Sequence, residues 1–357
     1  MNGPPAAAGD PDPAAGARQR TGRPDPPRRA AGPAPAGPAT GGGPPPLVLR
    51  AGDPLHRLGG GRAGVPERCA PSAERRGDPL AGTASPIPRW LLVEQPGGWG
   101  SEAVLESALD PVVGAALLQR WEAGAGTRVL LIRRPGRRGA PARKAWAVVD
   151  SRAGQEWVGW GSWEHPEELL DVPTRGPAGD PGGPLYLVCA HGRHDACCAI
   201  RGRPVAEALD AARPGSSWEC SHVGGDRFAA NVVALPHGFY YAHVTPQLAP
   251  AVAAAYERGE VYPRLLRGRS AFAAPAQAAQ HHARLALGEL RVDALRPLGM
   301  ARVAEHTWRV RLAAPGGALL VTVRASAAAP VRLTCSSRRA ERPRSWELVA
   351  LERATAS

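Results

Sequence analysis

Lysine is almost absent from this chain of 357 residues, although the net charge is +12. The single lysine is Lys144, and the other cations are arginines spread along the sequence. Nucleic-acid-binding proteins concentrate their positive charge in one stripe or helix, so this distribution argues against a nucleic-acid partner. A basic chain is compatible with an acidic redox protein as partner.

Long apolar runs are also missing. No stretch approaches the roughly 18–20 apolar residues of a membrane-spanning helix, and the N-terminus lacks the apolar segment of a signal peptide. The sequence therefore predicts a cytoplasmic protein that has no membrane partner. In a reducing cytoplasm, a group of cysteines is more often a metal or redox site than a set of disulfides.

A third absence is the C-x-x-C pair, which argues against a zinc ribbon and against thioredoxin-type dithiol chemistry. Six cysteines are present nevertheless, and four of them fall between Cys189 and Cys220. The other two, Cys69 and Cys335, are predicted to be core residues, because cysteine is among the most buried residue types.

The first half of the chain contains a low-complexity segment and an α/β segment. Residues 1–64 are mostly Pro, Gly, Ala and Arg, so they cannot bury enough apolar surface to order and are predicted to be a disordered tail. Residues 65–172 show a β-α-β-β pattern in which Asp110 caps the helix. Its predicted elements are a strand at 89–93, a helix at 111–122, and strands at 129–132 and 145–149.

The second half begins after a loop rich in glycine and proline. Residues 184–288 are predicted to form a second α/β unit, and residues 289–357 a β-rich region of hairpins. Alternating strands and helices indicate a mixed α/β sheet. The predicted helices of this half lie at 204–212, 248–258 and 275–287. The predicted strands lie at 185–188, 218–221, 232–235, 239–244, 307–312, 318–323, 331–334 and 346–351.

Two stretches carry the candidate chemistry. The first runs from Cys189, at the end of a strand, to Cys198, which precedes the predicted helix; the second opens with His222 and reaches Asp226. The first loop can fold back so that both sulfurs meet one metal, and a Gly-Gly pair in the second permits close approach of a bulky cofactor. Thiolates bind iron and sulfide well, and histidines at one iron raise the reduction potential.

The spacing Cys189-x8-Cys198, followed by His222-x-Gly-Gly, resembles the sucrase/ferredoxin-like family of thioredoxin-like ferredoxins. Other similar pieces are Arg68-Cys69, residues 78–83, residues 90–94, Asn231, Leu235-Pro236-x-Gly238 and residues 267–270. The resemblance covers roughly residues 68–287 and, more loosely, the tail. It implies two thioredoxin-like units with a β-rich C-terminal tail, and a [2Fe–2S] cluster held by two cysteines and two histidines.

The implied cluster ligands are Cys189, Cys198, His222 and Asp226. Asp226 stands where the family has its second histidine, and a carboxylate is a harder ligand that suits iron–sulfur clusters poorly. Three interpretations stay open: Asp226 binds directly, Cys220 or Cys197 takes the fourth position, or the cluster is absent.

The remaining polar residues of these loops have simpler expected roles. His191 and His194 are predicted to hydrogen-bond within the loop, and Asp195 to be a turn or cap residue. If Asp226 is not a ligand, it is expected to cap a helix or to pair with Arg227.

These observations predict an electron carrier rather than a stand-alone enzyme, with a redox protein of unknown identity as its partner. The alternative is a thioredoxin-like thiol oxidoreductase or redox sensor that uses Cys197, Cys198 or Cys220. It would need a thiolate of low pKa near a helix start. A glycosidase would need two carboxylates about 5–10 Å apart, and no paired-carboxylate signature stands out.

Overall fold

The computed structural model describes residues 67–124, 126–136, 139 and 141–354. The segment predicted to be a disordered tail, residues 1–64, lies outside these ranges. The helices are α1 (Cys69–Arg76), α2 (Pro111–Glu122), α3 (Ala196–Ala212), α4 (Ala249–Glu257) and α5 (Ala274–Leu287). The strands are β1 (Arg89–Glu94), β2 (Thr127–Arg133), β3 (Lys144–Asp150), β4 (Trp157–Trp163), β5 (Asp180–Pro181), β6 (Leu185–Cys189), β7 (Ser217–Cys220), β8 (Val232–Leu235), β9 (Phe239–Tyr241), β10 (Leu266–Arg269), β11 (Pro297–Ala304), β12 (Thr307–Ala314), β13 (Gly317–Ala327) and β14 (Arg344–Arg353).

The strands form two sheets. The larger has ten strands in the order β10-β9-β8-β6-β7-β2-β1-β3-β4-β5, and the smaller is antiparallel in the order β11-β12-β13-β14. Both parallel and antiparallel pairs occur in the larger sheet. The prediction of a mixed α/β sheet is therefore confirmed. The division into units at 65–172, 184–288 and 289–357 stays a prediction.

The larger sheet contains one pairing pattern twice. In its first half, β1 and β2 are parallel and joined through α2, β3 pairs antiparallel with the other side of β1, and β4 follows. In its second half, β6, α3, β7, β8 and β9 repeat this arrangement. The halves meet where β2 and β7 pair antiparallel, with Ile132 opposite Cys220.

Burial on both faces explains the apolar strands of this sheet. In β1, Trp90 and Leu92 pack into one core cluster while Leu91 and Val93 pack into another, because successive side chains of a strand point to opposite faces. Burying each such side chain stabilises the fold by about 1.5–3 kcal/mol. The predicted strand at 89–93 is confirmed.

Capping residues set the starts of two helices. The Asp110 side chain accepts from the backbone N–H groups of Val112 and Val113, and the predicted helix at 111–122 is confirmed. Asp195 accepts from the N–H of Cys197 at 2.8 Å and thereby starts α3 at Ala196. The prediction that this helix begins at residue 204 is wrong, because the proline there lies inside the helix. Cys198 consequently lies in the first turn of α3 rather than before it.

The C-terminal region differs in two places from the expected hairpins. Strand β11 was not anticipated from the sequence, and its residues are mostly exposed. Residues 331–334 do not form a strand; Val331 makes only an isolated bridge with Glu341. The smaller sheet packs its apolar face on α5, with Ala279 and Val321 in the shared core cluster. Among the described residues, no helix combines the length and apolar character needed to cross a membrane.

Candidate metal centre

The candidate metal centre lies at the carboxyl ends of two central strands of the larger sheet. Strands β6 and β7 run parallel, and their final residues, Cys189 and Cys220, lie opposite each other. Because parallel strands end at the same edge, the loops that follow them leave side by side. One loop leads into α3 and Cys198, and the other leads to His222 and the short 3-10 turn that begins at Asp226.

The structure brings together all four side chains expected to bind the cluster. The distance from Cys189 Sγ to His222 Nδ1 is 3.9 Å, and that from Cys198 Sγ to Asp226 Oδ1 is 3.3 Å. His222 Nδ1 lies 3.1 Å from Asp226 Oδ1. The ligand atoms of Cys189, Cys198 and His222 all lie within 4.8 Å of one another, which is close enough to hold a metal ion.

His194 belongs to the same site, although the sequence suggested only a loop hydrogen bond for it. Its Nε2 lies 3.6 Å from Asp226 Oδ2, and its ring stacks on His222 with centroids 3.7 Å apart. A cluster of His194, His222 and Asp226 has its ligand atoms within 4.8 Å. The available signal was the position of His194 in the loop between Cys189 and Cys198, the two cysteines expected to be ligands. For His191 the predicted hydrogen bond within the loop is wrong, because Nε2 lies 2.6 Å from the carbonyl oxygen of Gly100, in the segment between β1 and α2.

Among the described residues, the other candidates for the fourth position are not grouped with Cys189, Cys198 and His222. Cys220 is fully buried and, within the described part of the chain, belongs to no group of three metal-binding side chains. The Cys197 sulfur lies 3.5 Å from that of Cys335. The expected pair between Asp226 and Arg227 is wrong, because the Arg227 guanidinium contacts Asp78 at 3.2 Å.

The two buried thiols of the centre shift each other's pKa in opposite directions. A hydrogen bond from Cys198 lowers the pKa of Cys189 well below its ordinary value, and the nearby His222 adds to this effect. The same hydrogen bond, together with burial, raises the pKa of Cys198. The lowered pKa of Cys189 favours its thiolate, the form that binds metals.

Asp226 and His194 lie in contact beside the two thiols and shift each other's pKa. Burial opposes ionisation of Asp226, but the hydrogen bond from His194 and the charge of His222 outweigh it, and the pKa of Asp226 is lowered. The same hydrogen bond raises the pKa of His194. The carboxylate is thus ionised and available as a ligand.

A buried arginine fixes the loop that carries His222. Arg267 donates to the carbonyl oxygen of Gly224 at 2.9 Å and to Asn231 Oδ1 at 2.7 Å, while Asn231 Nδ2 donates to the carbonyl oxygen of Gly225 at 2.8 Å. Gly225 has φ +84°, and a Cβ there would lie 2.6 Å from the Arg267 guanidinium. Only glycine fits this position without displacing the arginine.

The histidine side of the centre reaches the surface, whereas the cysteine side does not. A cavity of about 210 Å³ is lined by His191, His194 and His222, among other residues. The side chain of His194 is 37 % exposed and that of His222 is 21 % exposed, while Cys189 and Cys198 are fully buried. A larger cavity of about 970 Å³ is lined by none of these residues.

The mixed α/β fold brings two thiols, an imidazole and a carboxylate together where strands β6 and β7 end. The protein is therefore an α/β protein with a candidate metal centre. Residues 80–268 match the sucrase/ferredoxin-like family model. This match spans more than half of the chain, and the protein belongs to the sucrase/ferredoxin-like family. No curated protein and no solved structure matches the chain.

Proposed function

We propose that this protein is an electron carrier in which Cys189, Cys198, His222 and Asp226 hold a [2Fe–2S] cluster. The observation that carries the proposal is the convergence of two buried sulfurs and one imidazole nitrogen at a single sheet edge. The donors fit the group, because soft thiolates bind iron–sulfur clusters and imidazole suits iron. When bound, such a cluster supplies a one-electron redox couple.

The protein's own residues prepare this site in two ways. Cys189 and Cys198 lie away from water, and both thiols must lose their protons when they act as ligands. Arg267 and Asn231 hold the backbone of the second loop by hydrogen bonds to Gly224 and Gly225. The ligand-bearing loop is therefore ordered before binding, which lowers the entropic cost of forming the site.

The partly exposed histidines indicate where a redox partner would dock. His194 and His222 line the surface cavity beside the centre, so a partner protein seated there would approach the centre from its imidazole side. We place the docking surface at this cavity. A cytoplasmic location is part of the proposal, because free thiols persist in a reducing compartment.

We also propose that each half of the larger sheet is thioredoxin-like. Across the sheet, the strands of the first half lie in the order β2-β1-β3-β4, and those of the second half lie in the equivalent order β7-β6-β8-β9. In each half the two strands that come first in the chain are parallel and joined by a helix. This repetition supports the two units expected at 65–172 and 184–288, with the β-rich region at 289–357 following them.

Anaerobic purification of the full chain tests the electron-transfer proposal. Iron and acid-labile sulfide in equal amounts, with a paramagnetic resonance signal after dithionite reduction, are the expected result. Cys198→Ser should lose both elements, because a hydroxyl is a poor ligand for iron and sulfide. The matched control Cys220→Ser should retain them. A colourless anaerobic preparation without iron or sulfide would refute the proposal.

The thiol oxidoreductase remains the second candidate, because one observation favours it. A hydrogen bond from Cys69 lowers the pKa of Cys197 to about 6, as thiol chemistry at a helix start requires. However, Cys197 is only 1 % exposed, and reactive cysteines need partial exposure. Rapid reaction of one thiol with a disulfide reagent in the metal-free native protein would favour this function.

A further inference from the structure

Four side chains outside the first centre form a second group of metal-binding donors. They are Cys69, Asp195, Cys197 and Cys335, whose ligand atoms all lie within 4.8 Å of one another. The Cys335 sulfur lies 3.5 Å from that of Cys197 and 3.6 Å from that of Cys69. Asp195 Oδ2 lies 3.6 Å from the Cys69 sulfur.

These separations match the edges of a tetrahedral zinc site. With Zn–S bonds of about 2.3 Å and a Zn–O bond of about 2.0 Å, tetrahedral angles place two sulfurs about 3.8 Å apart and a sulfur about 3.5 Å from an oxygen. Three thiolates favour a soft or borderline metal over magnesium or calcium. The donors therefore have both the spacing and the chemistry of a site for one zinc ion.

The Asp195 carboxylate is already aimed at this point. Its Oδ1 accepts from the N–H of Cys197 at 2.8 Å, and its Oδ2 accepts from the N–H of Cys335 at 2.6 Å. Asp195 is 3 % exposed, and within the described ranges no arginine or lysine forms an ion pair with it. A buried carboxylate without a cation is costly, and a zinc ion among the sulfurs would supply the missing charge.

The two adjacent cysteines of α3 divide between the two sites. Residues in a helix turn by 100° from one to the next, so neighbouring side chains face different directions. Cys197 faces Cys69 and Cys335, whereas Cys198 faces Cys189 and Asp226. The second group is therefore separate from the candidate iron–sulfur centre, although both are built on the first turn of one helix.

We propose that Cys69, Cys197, Cys335 and Asp195 form a structural zinc site. All four positions are filled by protein donors, as in structural rather than catalytic zinc sites. The site ties together the start of α1, the start of α3 and the segment between β13 and β14. Cys69 and Cys335 lie outside residues 80–268, so the zinc ion fastens both flanks of the family-matched region to its centre.

A disulfide is the main competitor for these thiols. It would join two of the three sulfurs and leave the third thiol beside Asp195. The zinc ion is favoured because it uses all four donors and neutralises the carboxylate as well. Mass spectrometry detects a disulfide and metal analysis detects zinc, so both measurements on the same anaerobic preparation distinguish the two states.

Metal analysis of the full chain with a matched pair of variants tests the zinc site. Cys335→Ser removes a ligand at the partly exposed corner of the site, and Ser336→Ala changes the neighbouring exposed residue. Wild type and Ser336→Ala should each hold one zinc ion per chain, and Cys335→Ser should bind zinc at least about tenfold more weakly in a chelator competition. Equal zinc retention by all three proteins would overturn the proposal, as would a disulfide within the group in the anaerobic wild type.

Two further readouts separate this site from the iron–sulfur proposal and from misfolding. Cys335→Ser should keep the iron and sulfide of wild type, and Cys189→Ser should keep the zinc. If the first centre itself held zinc, wild type would contain two zinc ions and Cys335→Ser one. Zinc X-ray absorption of iron-loaded wild type needs no variant: it should show three sulfurs at about 2.3 Å and one oxygen at about 2.0 Å. A shell with two sulfurs or fewer would refute the assignment.

Discussion

His194 and His222 stack with their ring centroids 3.7 Å apart, and both rings contact the carboxylate of Asp226. The candidate centre therefore has two donors near its fourth position, one carboxylate and one imidazole. Asp226 Oδ1 lies 3.3 Å from the Cys198 sulfur and 3.1 Å from His222 Nδ1, so it stands among the other proposed ligands. His194 lies on the outer side of Asp226.

Asp226→Ala should therefore lose most of the iron and sulfide of the anaerobic protein, because it removes a donor from among the other ligands. His194→Gln should keep both, because it removes only the outer partner of the carboxylate, but it should alter the reduction potential. Iron, sulfide and potentiometric titration of the two variants give the answer. Loss of iron in His194→Gln together with retention of iron in Asp226→Ala would show that the fourth ligand is His194 rather than Asp226.

Replacing His222 by cysteine should preserve a cluster and lower its potential. A thiolate is a good iron ligand, and its negative charge stabilises the oxidised state relative to a neutral imidazole. Potentiometry followed by paramagnetic resonance measures the shift, with His306→Cys as an exposed control away from the centre. A potential equal to or higher than that of wild type would contradict ligation by His222.

Arg267→Met should destabilise the fold by about 3 kcal/mol or more, because it leaves the carbonyl of Gly224 and the amide oxygen of Asn231 without their donor, at about 1–3 kcal/mol each. Urea unfolding measures the change, and the exposed Arg264→Met is the matched control. Iron retention should fall in Arg267→Met as well. An unchanged unfolding midpoint would show that the arginine does not hold the ligand loop.

Local patterns predicted much of this fold from the sequence. The apolar run around Leu91 and the Asp110 cap lie where the sequence predicts a strand and a helix. Pro204 lies inside α3, whereas proline is normally tolerated only in the first turn of a helix, so the sequence predicted a helix that starts at this residue. Cys198 and His222, in contrast, could be predicted as site residues, because they belong to motifs with recognisable spacing.

Contacts between distant segments could not be predicted in the same way. Cys335 lies 140 residues from the Asp195 carboxylate that binds its N–H, and no local pattern indicates that pairing. His194 stands in a loop whose path depends on where α3 begins. The stacking of His194 on His222 therefore follows from tertiary packing, which the sequence alone did not indicate.

Acid should destabilise the protein through His237. Burial, together with the charge of Arg269, lowers the pKa of His237 to about 4, while the Tyr256 hydroxyl lies 2.6 Å from Nδ1. Because the unfolded chain binds this proton near pH 6.5 and the folded chain near pH 4, stability is full above pH 6.5 and falls as the pH drops towards 4. The loss from this group is about 2 kcal/mol at pH 5.

The difference between wild type and His237→Gln isolates this contribution from other acid effects. The variant should lose less stability than wild type between pH 8 and pH 5 in urea unfolding, although it is less stable at pH 8. The exposed His306→Gln should follow the wild-type profile. Parallel pH profiles for wild type and His237→Gln would rule out a neutral, partly buried imidazole at this position.

The adjacent residues Cys197 and Cys198 should have separable effects on metal content. Cys198→Ser should lose iron and sulfide and keep zinc, because its side chain faces Cys189 and Asp226. Cys197→Ser should lose zinc and keep iron, because its side chain faces Cys69 and Cys335. Both substitutions fall in the first turn of α3 and exchange a buried sulfur for an oxygen, so each variant is the matched control for the other. Simultaneous iron and zinc analysis measures the outcome. If either variant lost both metals while keeping the wild-type thermal transition, the two groups would act as one site and the division along this helix would be wrong.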